Sequence, residues 1–417
     1  MVRTKAYPVP YHLRQAVSKE LKNMLELKII EVSNSPFSSP MCVVPKKDGK
    51  VRLCLDLRQL NKLVKYDAEP MPDIEAIYSK ISKSKYFSKL DLTKGYWQIA
   101  LSEDSKKYTA FTTNDGLFQF TVLPFGLVTA PAIFNRVMRK LLGDVDNVEI
   151  FFDDILIHTE TWNEHCHILE KVLCILRDAK LTVRPCKSEI GKNSIDYLGQ
   201  TIGNGFMRPM SDKIKSIIEA KIPETKKEVR AFIGLSSYYR RYIPDYASIV
   251  APLTDLTKKN APNKVKWDIE QDNAFKKVKT LLTTSPILKL IDFNLPFILQ
   301  TDASSTGLGA VLLQEHEGEK WPVAYASRKL SDAEKRYSVI ERECLAIVWA
   351  TKKFYPYLYG KPFVLETDHR PLTYLDTAKP LNGRLMRWAI HLQQFKISIN
   401  YVKGSENVGG DYLSRSN

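Results

Sequence analysis

The chain has 417 residues. Its 44% hydrophobic and 26% charged content argues against wholesale disorder and, at this length, for about two to four structural units. A balance of 62 Lys and Arg against 47 Asp and Glu leaves a net charge of +15, which suits a polyanionic partner because each neutralised phosphate releases a counterion. No apolar run approaches about 18 residues and no h-region follows Met1-Val2-Arg3, so neither a membrane span nor a secretory signal is evident.

Residues 9–33 carry helical spacing, with Leu13, Val17, Leu21, Met24 and Leu25 on one face, until Ser33-Asn34-Ser35-Pro36 breaks the pattern. From there to about residue 160, β-rich runs at 41–44, 51–55, 95–101, 109–113, 118–123 and 148–158 alternate with turns, and a helix is predicted over 132–142. Strands and helices mixed without a strict βαβ rhythm predict an α+β sheet with helices on one face. Between about 211 and 290, Lys213, Lys215, Lys226, Lys227, Arg230, Arg240 and Arg241 fall among Tyr238, Tyr239 and Tyr242 in helical segments punctuated by Pro223, Pro244 and Pro252. Such a mixture suits either a surface that tracks a nucleic-acid backbone or a solvated helical face. A new α/β pattern begins at Pro296, with strands at 297–301, 308–313, 323–326 and 363–367 and a long helix over 332–358.

The six cysteines, Cys42, Cys54, Cys166, Cys174, Cys186 and Cys344, form no C-x-x-C pair and read as reduced thiols of an intracellular protein. His165-Cys166-His167 lies in a helix-like segment where positions i and i+2 face different ways, which argues against a zinc site.

Two sets of acids carry the chemistry. Asp153-Asp154 is flanked by Ile150-Phe151-Phe152 and Ile155-Leu156-Ile157, a pattern for a tight hairpin presenting acids at its tip. Another strand-end acid, Asp91, stands in Ser88-Lys89-Leu90-Asp91-Leu92. Acids converging from separate strands can hold two divalent ions about 3.5–4 Å apart, which activates a 3′-hydroxyl and steadies a leaving pyrophosphate. Around them, in order, come Ser35-Pro36-Phe37-Ser38-Ser39-Pro40, Val44-Pro45-Lys46-Lys47-Asp48-Gly49, Arg52-Leu53-Cys54-Leu55-Asp56-Leu57-Arg58-Gln59-Leu60-Asn61, Leu90-Asp91-Leu92-Thr93-Lys94-Gly95-Tyr96-Trp97-Gln98-Ile99, Leu123-Pro124-Phe125-Gly126-Leu127-Val128-Thr129-Ala130-Pro131 and Phe151-Phe152-Asp153-Asp154-Ile155-Leu156. This series closely resembles the reverse transcriptases of Gypsy-type LTR retrotransposons. The resemblance implies that Asp91, Asp153 and Asp154 form the metal-binding triad of a polymerase palm. Lys47 and Arg52 match triphosphate-gripping positions, Tyr96 the steric gate against a 2′-hydroxyl, and Phe125-Gly126 the loop lining the nucleotide pocket. The Tyr197–Ile202 segment, with Leu198 and Gly199, matches the hairpin that grips the primer end, and the basic helical region after it matches the thumb. Phe151 departs from the tyrosine usual in the family. Phe125 departs from the glutamine of many retroviral enzymes but agrees with Gypsy-type elements.

In the C-terminal unit, Asp302 ends a strand, Glu341 and Glu343 lie on the long helix, Asp368 ends another strand, and Asp411 lies near the terminus. Four such acids would hold two ions that activate water against an RNA phosphodiester. Ile340, Cys344, Ile347 and Thr351 mark the helix's core stripe with the two glutamates on either side, so periodicity leaves both open. The ordered set resembles the ribonuclease H region of the same family, whose motif places the acid directly before Cys-Leu-Ala and so implies Glu343. Gly409-Gly410-Asp411-Tyr412 departs from the family's usual Ala-Asp-Ala at the last acid, although the acid itself is kept.

The resemblance implies a right-hand polymerase of fingers, palm and helical thumb, followed by a ribonuclease H-like α/β domain. The implied divisions are 1–210 for fingers and palm, 211–258 for thumb, 259–295 for a connecting segment and 296–417 for the nuclease. It further implies Mg²⁺ as cofactor, two ions per site, with Mn²⁺ as a substitute. The implied partners are an RNA template, a DNA primer, RNA–DNA hybrid and dNTPs, with no membrane and with a homodimer left open beside a monomer. The implied setting is a cytoplasmic virus-like particle and a longer polyprotein as source.

Overall fold

The computed structural model describes residues 3–45, 51–65, 67–70, 72–284, 287–368 and 383–402. The chain divides into two compact units, Met1–Ile195 and Asp196–Asn417.

The first unit holds two sheets. The helix Arg14–Glu26 buries Val17, Leu21 and Met24, the stripe expected from spacing. It is shorter than the 9–33 run because Lys28 adopts a left-handed φ of 53° and Ile30–Val32 turns into strand β1. Strands β2 (Ser39–Pro45), β3 (Val51–Leu55), β5 (Phe111–Thr113) and β6 (Gly116–Phe120) complete a five-stranded sheet in the order β1-β6-β5-β2-β3. Val17, Leu21, Met24, Met41, Val51, Phe111, Phe118 and Phe120 form its core.

The second sheet runs β7-β8-β4-β9, from β4 (Tyr86–Asp91), β7 (Val148–Phe151), β8 (Asp154–Thr159) and β9 (Glu189–Lys192). Helices Ala130–Leu142 and Trp162–Asp178 cover it, setting Phe134, Met138, Leu142, Ile168, Val172 and Leu176 against Leu90, Ile155 and Ile157. This is the helix-on-sheet layering expected from the pattern. The run at 95–101 is not a strand. Lys94 (φ 57°) and Gly95 (φ 44°) force a left-handed start, and Gly95–Gln98 winds into a short 3-10 turn. His165 is fully buried, bonded to Ser88 Oγ at 2.7 Å and Thr159 Oγ1 at 3.0 Å.

The second unit begins with a sheet ordered β10-β11-β12-β13, from β10 (Ser194–Tyr197), β11 (Gln200–Gly203), β12 (Phe206–Pro209) and β13 (Leu288–Lys289). Helices Ser211–Ile218, Lys226–Ser237 and Ile269–Thr283 fall within it. A five-stranded sheet follows in the order β16-β15-β14-β17-β18, from β14 (Phe297–Ala303), β15 (Gly307–His316), β16 (Glu319–Lys329), β17 (Pro362–Thr367) and β18 (Lys396–Tyr401). The β14–β15 and β15–β16 pairs are antiparallel, while β14–β17 and β17–β18 are parallel. The expected helix over 332–358 is broken at both ends. Ser338 and Glu341 form a reciprocal capping box that starts the helix at Val339, and it ends at Lys353. Its buried Cys344, Ile347 and Ala350 meet Leu299, Leu312 and Leu365, but Ile340 is 42% exposed and lies off the core stripe.

Three contacts join the last sheet to the earlier elements of this unit. Lys329 Nζ lies 3.0 Å from Asp255 Oδ1, Ala247 N donates to Ser327 Oγ at 2.9 Å, and Phe206 meets Trp321 edge-on with centroids 5.3 Å apart. The division between the two units falls at 195/196, inside the 1–210 segment read from the sequence.

Candidate active sites

Strand β4 pairs antiparallel with β8 so that Asp91 lies directly opposite Asp154. Asp153 sits one residue earlier, in the two-residue turn between β7 and β8, whose first position, Phe152, adopts a φ of 54°. Such a conformation is strained for a bulky side chain, and it persists because both flanking strands are paired. Asp91 is held by its backbone: its N–H donates to Ser188 Oγ at 3.2 Å and its carbonyl accepts from Arg184 N at 2.8 Å. Burial above all, then the charge of Asp153, pushes the Asp154 carboxyl above its ordinary range, while Lys89 and Lys187 oppose the rise. Asp91 adds to it. The Asp154 carboxylate is therefore under electrostatic stress that a bound cation would relieve.

Beside them is a cluster of rings. A Cβ at Gly95 would stand 3.5 Å from Asp153 Cβ, at ordinary van der Waals distance, so this turn runs beside the acids. The next residue, Tyr96, is half-buried between Phe125 and Phe134, with centroids at 5.2 and 5.3 Å. Burial, then the Asp153 charge, raises its hydroxyl pKa. Arg52 places its guanidinium 5.4 Å over the Phe125 ring. Asn61 fixes the loop carrying Phe125 and Gly126, donating to Gly126 O at 2.9 Å and accepting from Val128 N at 3.0 Å. Arg52, Tyr96, Phe125, Gly126 and the three acids thus share one region of the first unit. Lys47 lies outside the described residues.

In the second unit, Leu198 (φ 48°) and Gly199 (φ 81°) form the turn between β10 and β11. Tyr238 OH donates to Leu198 O at 2.7 Å, and a Cβ at Gly199 would lie 2.8 Å from that hydroxyl. Only glycine satisfies both the backbone and the close approach.

The last sheet gathers the other acids. Asp302 lies near the end of β14 and Asp368 directly follows β17. Glu343, on the covering helix, is 6% exposed, and its Oε2 has no hydrogen-bond partner. Burial above all, then the charges of Asp302 and Asp368, pushes its carboxyl up to about 8. Glu341 is committed elsewhere, bonding Ser338 N at 3.0 Å and Arg384 Nη1 at 2.9 Å. Of the two glutamates left open by periodicity, Glu343 is therefore the one that faces the other acids. Asp411 and Gly409-Gly410 lie outside the described residues. Glu366 is buried as well, but it is paired with Lys320 Nζ at 2.6 Å and Gln300 Nε2 at 2.7 Å. Among the described residues, no three His, Cys, Asp or Glu side chains are already drawn into a metal cage.

Residues 44–202 match the family described as reverse transcriptase (RNA-dependent DNA polymerase), and residues 292–395 match the RNase H-like domain found in reverse transcriptase. The chain is 39% identical, over 99% of its length, to the retrovirus-related Pol polyprotein from transposon 297 of Drosophila melanogaster. It is 38% identical over its full length to that from transposon gypsy of the same fly. The chain belongs to the reverse transcriptase–ribonuclease H region of Gypsy-type Pol polyproteins. It spans 39% and 42% of those two relatives' lengths, and 31% of the Tf2-3 polyprotein of Schizosaccharomyces pombe, to which it is 36% identical. The fold is that of a foamy viral protease-reverse transcriptase solved with double-stranded DNA, at a TM-score of 0.88 and 26% identity, covering 96% of this chain and 71% of that one. A foamy viral structure with RNA/DNA hybrid matches at 0.80, again at 26% identity, covering 99% of this chain and 56% of that one.

For this Gypsy-type region, the polymerase match contains every residue singled out for the first site and the 198–199 turn, and the nuclease match contains Asp302, Glu343 and Asp368. Two residues stand in the sequence patterns with no role implied by them: Asn61, which pins the Phe125 loop, and Tyr238, which pins the 198–199 turn. A third, Asp245, stands outside every sequence motif. It is 9% exposed with a φ of 47°, and burial, with the Asp302 charge adding to it, pushes its carboxyl up to about 7. No local signal could reveal it, because tertiary folding alone brings it within the field of Asp302. No helix among the described residues is long and apolar enough to cross a membrane.

Proposed function

We propose that this chain copies RNA, and then DNA, into DNA and cuts the RNA strand of the hybrid, working within the 1–210, 211–258, 259–295 and 296–417 divisions read from its sequence. The observation that carries the reading is the opposition of Asp91 and Asp154 across paired strands, with Asp153 at the adjoining turn and the Tyr96–Phe125–Arg52 cluster beside it. In this reading Asp91, Asp153 and Asp154 would hold two Mg²⁺ ions, with Mn²⁺ as substitute, and Asp302, Glu343, Asp368 and Asp411 two more. The mutual repulsion at Asp154 and the unpartnered Glu343 Oε2 support a cationic occupant at each site. When bound, such ions lower the pKa of an attacking hydroxyl or water and neutralise charge on the leaving group.

The chain's own residues do the positioning. Arg52, with Lys47, grips triphosphate oxygens through a planar fork and a point charge. Tyr96 stands under the sugar, where its ring would meet a 2′-hydroxyl, and the Phe125-Gly126 loop lines the base side of the pocket. The Leu198-Gly199 turn, held by Tyr238, would grip a primer end. In the second site the acids orient water against an RNA phosphodiester. The foamy viral proteins solved with double-stranded DNA and with RNA/DNA hybrid support nucleic acid as the partner, and kinship with Pol polyproteins supports a virus-like particle as the setting.

The test is extension of a DNA primer on homopolymer RNA with dNTPs and Mg²⁺. Template-directed dNMP incorporation is expected. Binding of the duplex without incorporation would point instead to a catalytically silent nucleic-acid-binding subunit, and efficient ribonucleotide use to an RNA polymerase.

A further inference from the structure

In the antiparallel β2–β3 pair, Cys42 stands directly opposite Cys54. Directly opposed residues share a face of the sheet, with Cα atoms about 4.5–5.5 Å apart. That separation lies inside the roughly 4.4–6.8 Å range that a disulfide spans. Both cysteines are free thiols here, both are half-buried rather than sealed, and β3 is an edge strand of its sheet. An external reagent can therefore reach them.

The face they share is decided by alternation. Met41 and Val51 are buried in the sheet's core, with Val43, Leu53 and Leu55 packed against it. In the register Met41↔Leu55, Cys42↔Cys54, Val43↔Leu53, Val44↔Arg52, these core residues take one face and leave Cys42, Cys54, Val44 and Arg52 on the other. Arg52 is the residue whose guanidinium lies over Phe125. The thiol pair is thus the next cross-strand pair but one from the nucleotide-gripping arginine, on the same side of the hairpin.

We propose that Cys42 and Cys54 are a reversible oxidation site, closing to a cross-strand disulfide that weakens nucleotide binding at the Arg52–Phe125 face. The consequence for nucleotide rests on the reading of that face given above; the bond itself does not. The oxidant class is a peroxide. One thiolate attacks a peroxide oxygen, giving a sulfenic acid and releasing the other oxygen as water after protonation. The second thiolate then attacks the sulfenic sulfur, forming the S–S bond and expelling hydroxide, which takes up a proton. Two thiols and one peroxide give one disulfide and two waters, with two electrons passing from sulfur to oxygen. A dithiol reverses the bond by exchange. Closure draws the Cβ atoms to about 3.8 Å, tighter than an ordinary cross-strand pair, and so retwists the hairpin at the point where it aims Arg52.

The test uses the whole chain, treated with hydrogen peroxide and then digested without reductant. We expect a peptide joining the segments around Cys42 and Cys54, lighter by two hydrogens than the reduced pair and lost in Cys42→Ser and in Cys54→Ser. In the same oxidised sample the KM for dNTP should rise at least threefold and return with dithiothreitol. It should not rise in peroxide-treated Cys42→Ser, and hybrid cleavage should be unchanged. Absence of the joined peptide overturns the site. A joined peptide with unchanged KM overturns its control of nucleotide binding. Arg52→Ala, run in parallel, distinguishes that result from an error about the face itself, which is indicated only if Arg52→Ala also leaves KM unchanged.

Discussion

The hydroxyl of Tyr238, from the segment closing the helix Lys226–Ser237, donates to the carbonyl of Leu198 at 2.7 Å. The bond ties a helix to the left-handed turn that carries Gly199. A hydrogen bond of this kind contributes about 1 kcal/mol, or roughly fivefold in an equilibrium. Tyr238→Phe should therefore weaken primer–template binding about fivefold, measured by titration of labelled duplex, while hybrid cleavage persists. Gly199→Ala should do more harm, because its Cβ meets both the unfavourable φ and the Tyr238 hydroxyl. Equal behaviour of the two variants would argue that the turn is not a held element.

Asn61 bonds both sides of the Phe125 loop. Asn61→Ala removes two hydrogen bonds, and an increase in the KM for dNTP on the order of tenfold is expected with a smaller change in kcat. Steady-state extension at varied dNTP checks it. A fall in kcat alone would place Asn61 outside nucleotide positioning.

Tyr96 is wedged between Phe125 and Phe134 beside Asp153. Tyr96→Val opens space on that side, so ribonucleotide incorporation should rise by about tenfold or more relative to dNTP, the scale of a removed steric clash. Paired incorporation assays with dNTP and rNTP decide it; unchanged discrimination retires Tyr96 as the gate.

Much of this was legible in the sequence. Val17, Leu21 and Met24 announced a buried helical stripe, and the apolar runs around Asp153-Asp154 announced a hairpin, because period and turn chemistry are local properties. Failures came where the deciding interaction was local but irregular, or not local at all. The run after Lys94 reads as a strand until its left-handed backbone is seen, and Ser338 begins a helix that composition alone would start several residues earlier. The choice of Glu343 over Glu341 turns on a capping box and Arg384, and Asp245 reaches the field of Asp302 only through tertiary packing.

The raised Glu343 carboxyl has a consequence for stability. Its value of about 8 stands above the 4.5 of an unfolded glutamate, so from about pH 4.5 to 8 the folded state holds a proton that the unfolded chain has lost. Stability therefore falls as pH rises through that window, and Asp245, raised from 3.8 to about 7, acts in the same direction. Metal-free protein should show a lower Tm at pH 8 than at pH 5.5, and Glu343→Gln should narrow the gap. Scanning calorimetry in chelator at both pH values measures it; an unchanged gap in the variant would show that Glu343 does not carry the strain.

Two separate sets of acids are proposed to run two separate reactions. One gel, following primer growth and hybrid cleavage in the same reaction with Mg²⁺, tests it on two folded variants. Asp153→Asn with Asp154→Asn should abolish growth and leave cleavage, and Asp302→Asn should abolish cleavage and leave growth. Loss of both activities from either protein, with its melting transition intact, would show that the two reactions do not run on separate acid sets.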